Sequence, residues 1–262
     1  MSYTPETNSR SYLACLMPHV TALAREAGNA IMEIYGVEGL FVDYKQDKSP
    51  VTQADMASHA IILAGLERLT PGWPMLSEES TAISFEERSA WWHFWMVDPL
   101  DGTKEFLERN GEFTVNIALI EGNTPSLGVV YAPAIDILYF AARGVGAFKV
   151  EHEVTSQIRA TSAKNGANRV LVSRSHEAKV DRLAGDTAEC ELIRMGSSLK
   201  FCLVAEGAAH SYPRTGPTME WDTAAAHCIL EVAGGSIAGM DGEPLTYNKP
   251  ELVNPGFLAK AS

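Results

Sequence analysis

The fold of this chain is decided by one stretch, which reads Trp91-Trp92-His93-Phe94-Trp95-Met96-Val97-Asp98-Pro99-Leu100-Asp101-Gly102-Thr103-Lys104-Glu105-Phe106. Its first seven residues are too continuously apolar for a half-exposed strand and predict a strand that is buried on both faces. At the end of that strand Asp98 and Asp101 flank the carbonyl of Leu100, and the proline and glycine beside them fix the turn. Oxygen ligands held this way suit magnesium, which usually shares its coordination sphere with substrate phosphates. The stretch therefore predicts phosphate chemistry.

Acidic residues at separated places are the candidates for metal ligands: Asp55, Glu78-Glu79, Asp98 with Asp101, and Asp222. Taken singly, Asp55 and Asp222 are also explained as helix N-terminal residues that cap amides, and Glu78-Glu79 as a solvated turn. The turn that holds Asp98 and Asp101 is different, because a bare turn has no need of two carboxylates and a threonine. A short helix predicted at residues 102–108 follows it, and its N-terminal amides can bind phosphate.

The segment before the deciding stretch is predicted to be mainly helical. Apolar residues at spacings of three and four predict a helix over 11–35, and a second helix at 53–69 is ended by Pro71-Gly72. A short strand at 41–45 and a polar loop at 46–50 separate them. The aromatic residues of 91–95 are interpreted as core rather than as a platform for stacking bases.

The segment after the deciding stretch changes its pattern near residue 155. Strands are predicted at 114–120, 127–131, 137–141 and 147–150, forming a mostly antiparallel meander. Beyond it, strands at 169–173 and 191–195 alternate with helices at 176–183 and 198–206, and a last helix at 222–232 stops at Gly234-Gly235. We therefore expect an α+β subdomain over 1–156, carrying the large antiparallel sheet, and an α/β subdomain over 157–262 that contributes Asp222.

Composition restricts the classes of partner. The chain has 33 acidic and 21 basic residues in 262, for a formal net charge of -12, which disfavours nucleic acid polymers and anionic lipid as partners. The first twenty residues carry neither a secretory signal nor a membrane-spanning segment, so a cytoplasmic location without integral membrane association is expected. The four cysteines are scattered and are expected to be buried thiols rather than a disulfide framework or a zinc site. Peripheral association with the inner membrane and the oligomeric state are left open.

Two motifs connect the chain to a known family. Residues 98–103 and 221–225 resemble the two signatures of the lithium-sensitive, magnesium-dependent inositol monophosphatase superfamily, and the resemblance covers nearly the whole chain. Residues 76–79, 101–106, 110–120 and 196–207 resemble its bacterial 3'(2'),5'-bisphosphate nucleotidase branch. The resemblance implies a layered αβαβα sandwich, an α+β / α/β fold. It also implies hydrolysis of the 3'-phosphate of adenosine 3',5'-bisphosphate to leave AMP, and leaves open whether 3'-phosphoadenylyl sulfate is used.

The same resemblance implies roles for individual residues. Glu78, Asp98 and the Leu100 carbonyl would hold a first magnesium ion, and Asp98, Asp101 and Asp222 a second, within a site of two or three ions. Glu78 and Thr103 would position the attacking water, and Asp55 would accept a hydrogen bond from Thr103. A small phosphorylated nucleotide would contact Glu78, Leu100, Asp101, Gly102, Thr103, Ser197, Ser198, Lys200, Arg214 and Asp222.

Alternatives remain at this stage. The substrate's second phosphate needs cations, for which Lys200, Arg214 and Lys104 are candidates, although Lys200 and Arg214 are also explained as solvated surface charges. A phosphatase of the same fold acting on inositol phosphates is the nearest rival function. A non-catalytic module that binds cations and anions is a rival of another class, and it would not require both Glu78 and Thr103. His227 is expected to be a structural histidine.

Overall fold

The computed structural model describes residues 5–37, 42–44, 50–80, 83–161, 168–174 and 190–262. The helices are α1 Pro5–Tyr35, α2 Gln53–Leu69, α3 Phe85–Arg88, α4 Thr103–Leu107, α5 Leu199–Ala205 and α6 Glu220–Val232, with a 3-10 turn at Glu78–Ser80. The strands are β1 Val42–Tyr44, β2 Pro50–Thr52, β3 Met75–Ser77, β4 His93–Asp101, β5 Thr114–Glu121, β6 Thr124–Ala132, β7 Ile137–Ala142, β8 Gly146–Glu151, β9 Val154–Gln157, β10 Asn168–Ser173, β11 Cys190–Met195, β12 Ser211–Arg214, β13 Thr218–Met219, β14 Ser236–Gly239, β15 Val253–Asn254 and β16 Phe257–Lys260.

The larger sheet has the strand order β3-β4-β5-β6-β7-β8-β9. Strand β3 runs parallel to β4, and the strands from β4 to β9 pair antiparallel in sequence order. This sheet is the predicted meander, extended by β3 and β9, which the sequence analysis did not predict. Both of these strands are too short to show a clear period of two.

Strand β4 is buried on both faces, as its apolar run predicted. Trp95 and Val97 pack in the cluster that holds the apolar residues of α1 and α2, whereas Phe94 and Met96 pack in the cluster that holds those of α5 and α6. Helices therefore cover the larger sheet on both sides. Strand burial of this kind accounts for the continuous hydrophobicity of the segment.

The smaller sheet lies on the other side of α5 and α6, with the strand order β11-β10-β12-β16-β14. Its first three strands are parallel, and β16 runs antiparallel to both β12 and β14. The sheet is thus mixed, and β12, β14 and β16 were not predicted. The alternation of helix and sheet layers confirms the α+β sandwich implied by the resemblance.

Several predicted elements need correction at their ends. Helix α1 begins at Pro5 rather than at residue 11, and α6 begins at Glu220 rather than at residue 222. The helix predicted at 176–183 and most of the loop predicted at 46–50 lie outside the described residues.

Within the described part of the chain, no helix has the length and apolar character that crossing a bilayer requires.

Two predictions about burial were partly wrong. Trp92 is 73% exposed, because β4 begins only at His93 and Trp92 lies in the bend before it, while Trp95 is fully buried as expected. Cys202 and Cys228 are buried, but Cys15 is exposed on α1 and Cys190 is half-buried at the edge strand β11. His227 is buried and shares a hydrogen bond with the Tyr247 hydroxyl at 2.8 Å, which fits its structural interpretation.

Candidate metal centre and substrate pocket

A β-bulge brings Asp98 and Asp101 to one side of the sheet. In the pairing of β4 with β5, Asp98 lies opposite Asn116 and Asp101 opposite Thr114, so three steps along β4 match two along β5. Side chains alternate between the faces of a strand, and the extra residue therefore returns Asp101 to the face of Asp98. The turn is held by a hydrogen bond from the Leu100 amide to Asp98 Oδ1 at 3.1 Å.

Three carboxylates converge at the end of β4. One ligand oxygen from each of Glu78, Asp98 and Asp222 lies within 4.8 Å of the others. Glu78 follows β3 directly, and the parallel pairing of Ser77 with Val97 sets it beside Asp98. Asp222 is supplied by α6, which packs against the same sheet.

The electrostatics of this group fit a divalent cation. Burial, together with the neighbouring Glu78, Asp101 and Asp222, raises the pKa of Asp98 well above its usual range. Burial also raises the pKa of Asp222, and the Asp101 carboxylate adds to that rise. Carboxylates this close repel one another unless a cation or a proton lies between them, and a donor set of oxygens alone is the set that magnesium prefers.

Asp101 belongs to the pocket but not to the group of three. Its Oδ2 accepts hydrogen bonds from the Ser198 amide at 2.6 Å and from Asn116 Nδ2 at 3.3 Å. Burial raises the pKa of Asp101 to about 6, an effect that the Lys200 ammonium opposes. Asp101 thereby connects β4 to the loop before α5, and its role as a metal ligand stays a prediction.

Asp55 has both roles that the sequence analysis weighed. Its Oδ2 accepts hydrogen bonds from the Thr52 amide at 2.7 Å and the Thr52 hydroxyl at 2.6 Å, forming the capping box of α2. Its Oδ1 accepts a hydrogen bond from the Thr103 hydroxyl at 3.4 Å, the contact implied by the resemblance. Burial raises the pKa of Asp55 to about 6. One oxygen thus caps the helix while the other meets Thr103.

A cavity of about 300 Å³ lies over these groups. It is lined by the sequence-predicted residues Glu78, Asp98, Leu100, Asp101, Gly102, Thr103, Lys104, Ser197, Ser198, Lys200, Arg214 and Asp222. Asp55 lies behind Thr103 and does not line it. The cavity is also lined by residues that were not predicted as site residues: Glu105, Ser173, Phe201, Tyr212, Pro217, Thr218 and Thr223. Tyr212 carried a signal, because it stands two residues from Arg214 and therefore on the same face of a strand.

The cations of the cavity differ in burial. Lys200 is 4% exposed, so its interpretation as solvated surface charge is wrong, and its Nζ donates to the carbonyls of Met195 at 3.2 Å and Ser197 at 2.5 Å. Burial lowers the pKa of Lys200 to about 8. Arg214 is half-buried, and its Nε and Nη2 donate to the carbonyls of Gly216 and Pro217. Lys104 is exposed.

Glu112 fixes the loop before α5 against the larger sheet. Its Oε2 accepts hydrogen bonds from the Gly196 amide and from Arg174 Nε, each at 2.7 Å. A side chain at position 196 would not fit, because a Cβ there would lie 2.6 Å from Glu105 Cγ. This close approach explains why the loop has glycine before the two serines that line the cavity.

Comparisons with known proteins agree with this geometry. The sequence pattern of the inositol monophosphatase family matches residues 13–261. The chain is 49% identical over 245 residues to the 3'(2'),5'-bisphosphate nucleotidase CysQ of Escherichia coli K12, covering 92% of this chain and 98% of that protein. It is 43% identical over 251 residues to the protein of the same name from Buchnera aphidicola, with 94% of each chain covered.

Solved structures give the same result. CysQ from Bacteroides thetaiotaomicron, a bacterial member of the inositol monophosphatase family, is 42% identical and superimposes with a TM-score of 0.79, covering 91% of this chain and 94% of that one. The extragenic suppressor protein suhB from Bartonella henselae is 28% identical, with a TM-score of 0.80 over 95% of this chain and 94% of that one. Sequence, fold and relatives together show that this chain belongs to the inositol monophosphatase family.

Proposed function

We propose that this chain is a 3'(2'),5'-bisphosphate nucleotidase, a phosphoric monoester hydrolase that removes the 3'-phosphate of adenosine 3',5'-bisphosphate to give AMP and inorganic phosphate. The observation that carries the proposal is the 49% identity to a nucleotidase of that name over 92% of the chain. The cavity supports it, because it is lined both by carboxylates and by the cationic side chains of Lys200 and Arg214. A substrate with two phosphates matches this distribution of charge.

The residues that would hold magnesium are Glu78, Asp98, the Leu100 carbonyl, Asp101 and Asp222, in a site of two or three ions. The group of Glu78, Asp98 and Asp222 supports the assignment, since its oxygens lie close enough to share a cation. Bound magnesium would lower the pKa of the attacking water and neutralise charge on the leaving oxygen.

The chain's own residues orient the reaction. The Thr103 hydroxyl donates its proton to Asp55, so its oxygen lone pairs remain for a hydrogen bond from the attacking water, which Glu78 also approaches. The water oxygen then bonds to phosphorus as the bond from phosphorus to the 3' oxygen breaks, and a proton from water ends on the 3' oxygen, so that AMP and inorganic phosphate are released. Gly102 and Thr103 line the cavity at the start of α4, and their amides would assist phosphate binding.

The test of the proposal is a phosphate-release panel. We expect a kcat/KM for adenosine 3',5'-bisphosphate at least about 100-fold above that for inositol 1-phosphate, because polar groups placed for a second phosphate stay unsatisfied with the smaller substrate. Chelation of magnesium should abolish release, and added lithium should inhibit it. Preference for inositol 1-phosphate would establish the rival phosphatase, and no release from either would favour a binding module.

Replacement of Arg214 by alanine is expected to raise the KM for adenosine 3',5'-bisphosphate by about 10-fold or more, while the KM for 3'-AMP changes little. The guanidinium would contact the phosphate that is not hydrolysed, which 3'-AMP lacks. Steady-state kinetics with both substrates measure the difference. The control is Lys260→Ala, which removes an exposed cation from β16, the strand beside β12. Equal KM changes for both substrates would contradict a role for Arg214 in binding the phosphate that is not hydrolysed.

We also propose the subdomain division at 1–156 and 157–262 and a cytoplasmic location. The larger sheet ends with β9 at Gln157 and the smaller sheet begins with β10 at Asn168, which supports the division.

The proposed cytoplasmic location is supported by the exposed thiol of Cys15, which suits a reducing compartment.

A further inference from the structure

Ser58 is a polar residue on the buried stripe of α2. The stripe repeats at every fourth residue, and its other members are the fully buried, apolar residues Ala54, Ile62 and Leu66. Ser58 is also fully buried, and a buried hydroxyl is costly unless it makes a hydrogen bond. Its Oγ donates to the carbonyl oxygen of Pro99 at 2.7 Å. Ser58 thus connects α2 to the bulge of β4.

The Pro99 carbonyl lies where the pairing of β4 with β5 is interrupted. Pro99 and Leu100 are inside the bulge, between the pairs that Asp98 and Asp101 make with β5. Pro99 is buried. A buried backbone carbonyl that is outside the regular sheet pairing needs another donor, and the Ser58 hydroxyl supplies one.

The same peptide group is held at its other end. The Pro99 carbonyl and the Leu100 amide belong to one planar unit, and the Leu100 amide donates to Asp98 Oδ1 at 3.1 Å. Two side chains therefore hold this peptide from opposite ends, and a rotation of the peptide would break both hydrogen bonds. Asp98 and Leu100 both line the cavity, so the orientation of this peptide affects two predicted metal ligands.

Neighbouring residues of α2 reach other parts of the site. Asp55, three residues before Ser58, accepts from the Thr103 hydroxyl at 3.4 Å. His59 Nδ1 lies 2.9 Å from the hydroxyl oxygen of Ser77, at the end of β3. Residues three and four apart share one face of a helix. This face of α2 therefore contacts β3, the bulge of β4 and the start of α4.

We propose that Ser58 is a positioning residue of the metal centre, which fixes the Pro99–Leu100 peptide so that the Asp98 carboxylate and the Leu100 carbonyl serve one divalent cation. The inference rests on the proposed function and adds a residue that is uncharged and lies outside the lining of the cavity. Removal of a group that orients metal ligands typically costs about 10- to 100-fold in metal affinity or activity.

The test is Ser58→Ala, which removes the hydroxyl and keeps a good helix former. Calorimetric titration of the substrate-free protein with magnesium should show a Kd about 10-fold or more above that of the parent. In kinetics, the magnesium concentration for half-maximal activity should rise by the same factor. The kcat at saturating magnesium should stay close to the parent value, because every ligand is still present.

Ser126→Ala is the matched control. Ser126 is also buried, and its Oγ donates to the Leu119 carbonyl at 3.3 Å, outside the cavity. Both variants lose one buried hydrogen bond and should melt at a lower temperature than the parent without metal, but only Ser58→Ala should change the magnesium Kd. An equal rise of the Kd in both variants would overturn the inference, since the cause would then be a general loss of stability.

Ser58→Cys serves if Ser58→Ala does not fold. Its thiol is a weaker donor than the hydroxyl, so the magnesium Kd should rise by a smaller factor, and a Kd equal to that of the parent would overturn the inference.

The titration contains no substrate, so its result does not depend on the reaction that the enzyme catalyses. A parent that binds magnesium while Ser58→Ala keeps the parent Kd overturns the inference alone. A parent that binds no magnesium overturns the inference and the proposed function together. A parent that binds magnesium but releases no phosphate from the bisphosphate overturns the proposed function, and the Kd of Ser58→Ala still decides the inference.

Discussion

Asp98→Asn is expected to lower kcat for adenosine 3',5'-bisphosphate by about 10³-fold or more and to leave the fold intact. Asp98 is the buried member of the acidic group, and one ligand oxygen from each of Glu78 and Asp222 lies within 4.8 Å of its own. Asparagine keeps the oxygen that accepts from the Leu100 amide, so the bulge should persist. What is lost is the central negative charge that would hold two cations together.

The same variant should change stability in a diagnostic way. The pKa of Asp98 is raised in the folded state, so its carboxyl favours folding below its unfolded pKa and opposes folding as pH rises through its folded pKa. Without magnesium near neutral pH, Asp98→Asn should therefore melt at a higher temperature than the parent. Added magnesium should raise the melting temperature of the parent and have little effect on the variant.

Asp241→Asn is a matched control for this substitution. Asp241 is exposed, and its Oδ1 accepts from the amide two residues further on, as Asp98 Oδ1 does. The control should behave like the parent in kinetics and in thermal denaturation with magnesium. Magnesium-dependent turnover by Asp98→Asn within about tenfold of the parent would contradict the proposed mechanism.

The parts of the fold that local sequence determines were predicted well. Helix α2 occupies 53–69 as predicted, because the residues next to it specify both ends: Thr52 caps its start, and Pro71-Gly72 follow its end. The double burial of β4 followed from its apolar run. The bulge in β4 was not predicted: Pro99 indicated a turn at this place, but the register of three residues against two exists only in the pairing with β5.

The same division holds for the site. The motif at 98–103 indicated two carboxylates and a turn. Glu78 and Asp222 were assigned to the same metal site only because the family resemblance implied it. Their convergence depends on the pairing of β3 with β4 and on the packing of α6, which have no local signal. Tyr212 had one local signal, its position two residues from Arg214, but that signal could not be used because the strand β12 was not predicted.

Thr103→Ala is expected to lower kcat by about 10²-fold while magnesium still raises the melting temperature. The hydroxyl donates to Asp55 Oδ1, and this bond turns its lone pairs toward the cavity, where the water is proposed to lie. Alanine removes the group that orients the water but leaves the carboxylates of the acidic group in place, so metal binding and hydrolysis should separate. Kinetics and thermal denaturation of one preparation measure both.

Thr103→Ser should restore most of the activity, because serine presents the same hydroxyl at the start of α4. This comparison is more informative than replacement of Asp55, whose Oδ2 also accepts from Thr52 in the capping box of α2. Loss of that cap alone would cost about 1 kcal/mol of stability and would mix a folding defect with a catalytic one. Since Thr103 has no part in the cap, a low kcat in Thr103→Ala with full recovery in Thr103→Ser would assign the effect to the hydroxyl. An alanine variant as active as the parent would instead mean that the water is oriented without Thr103.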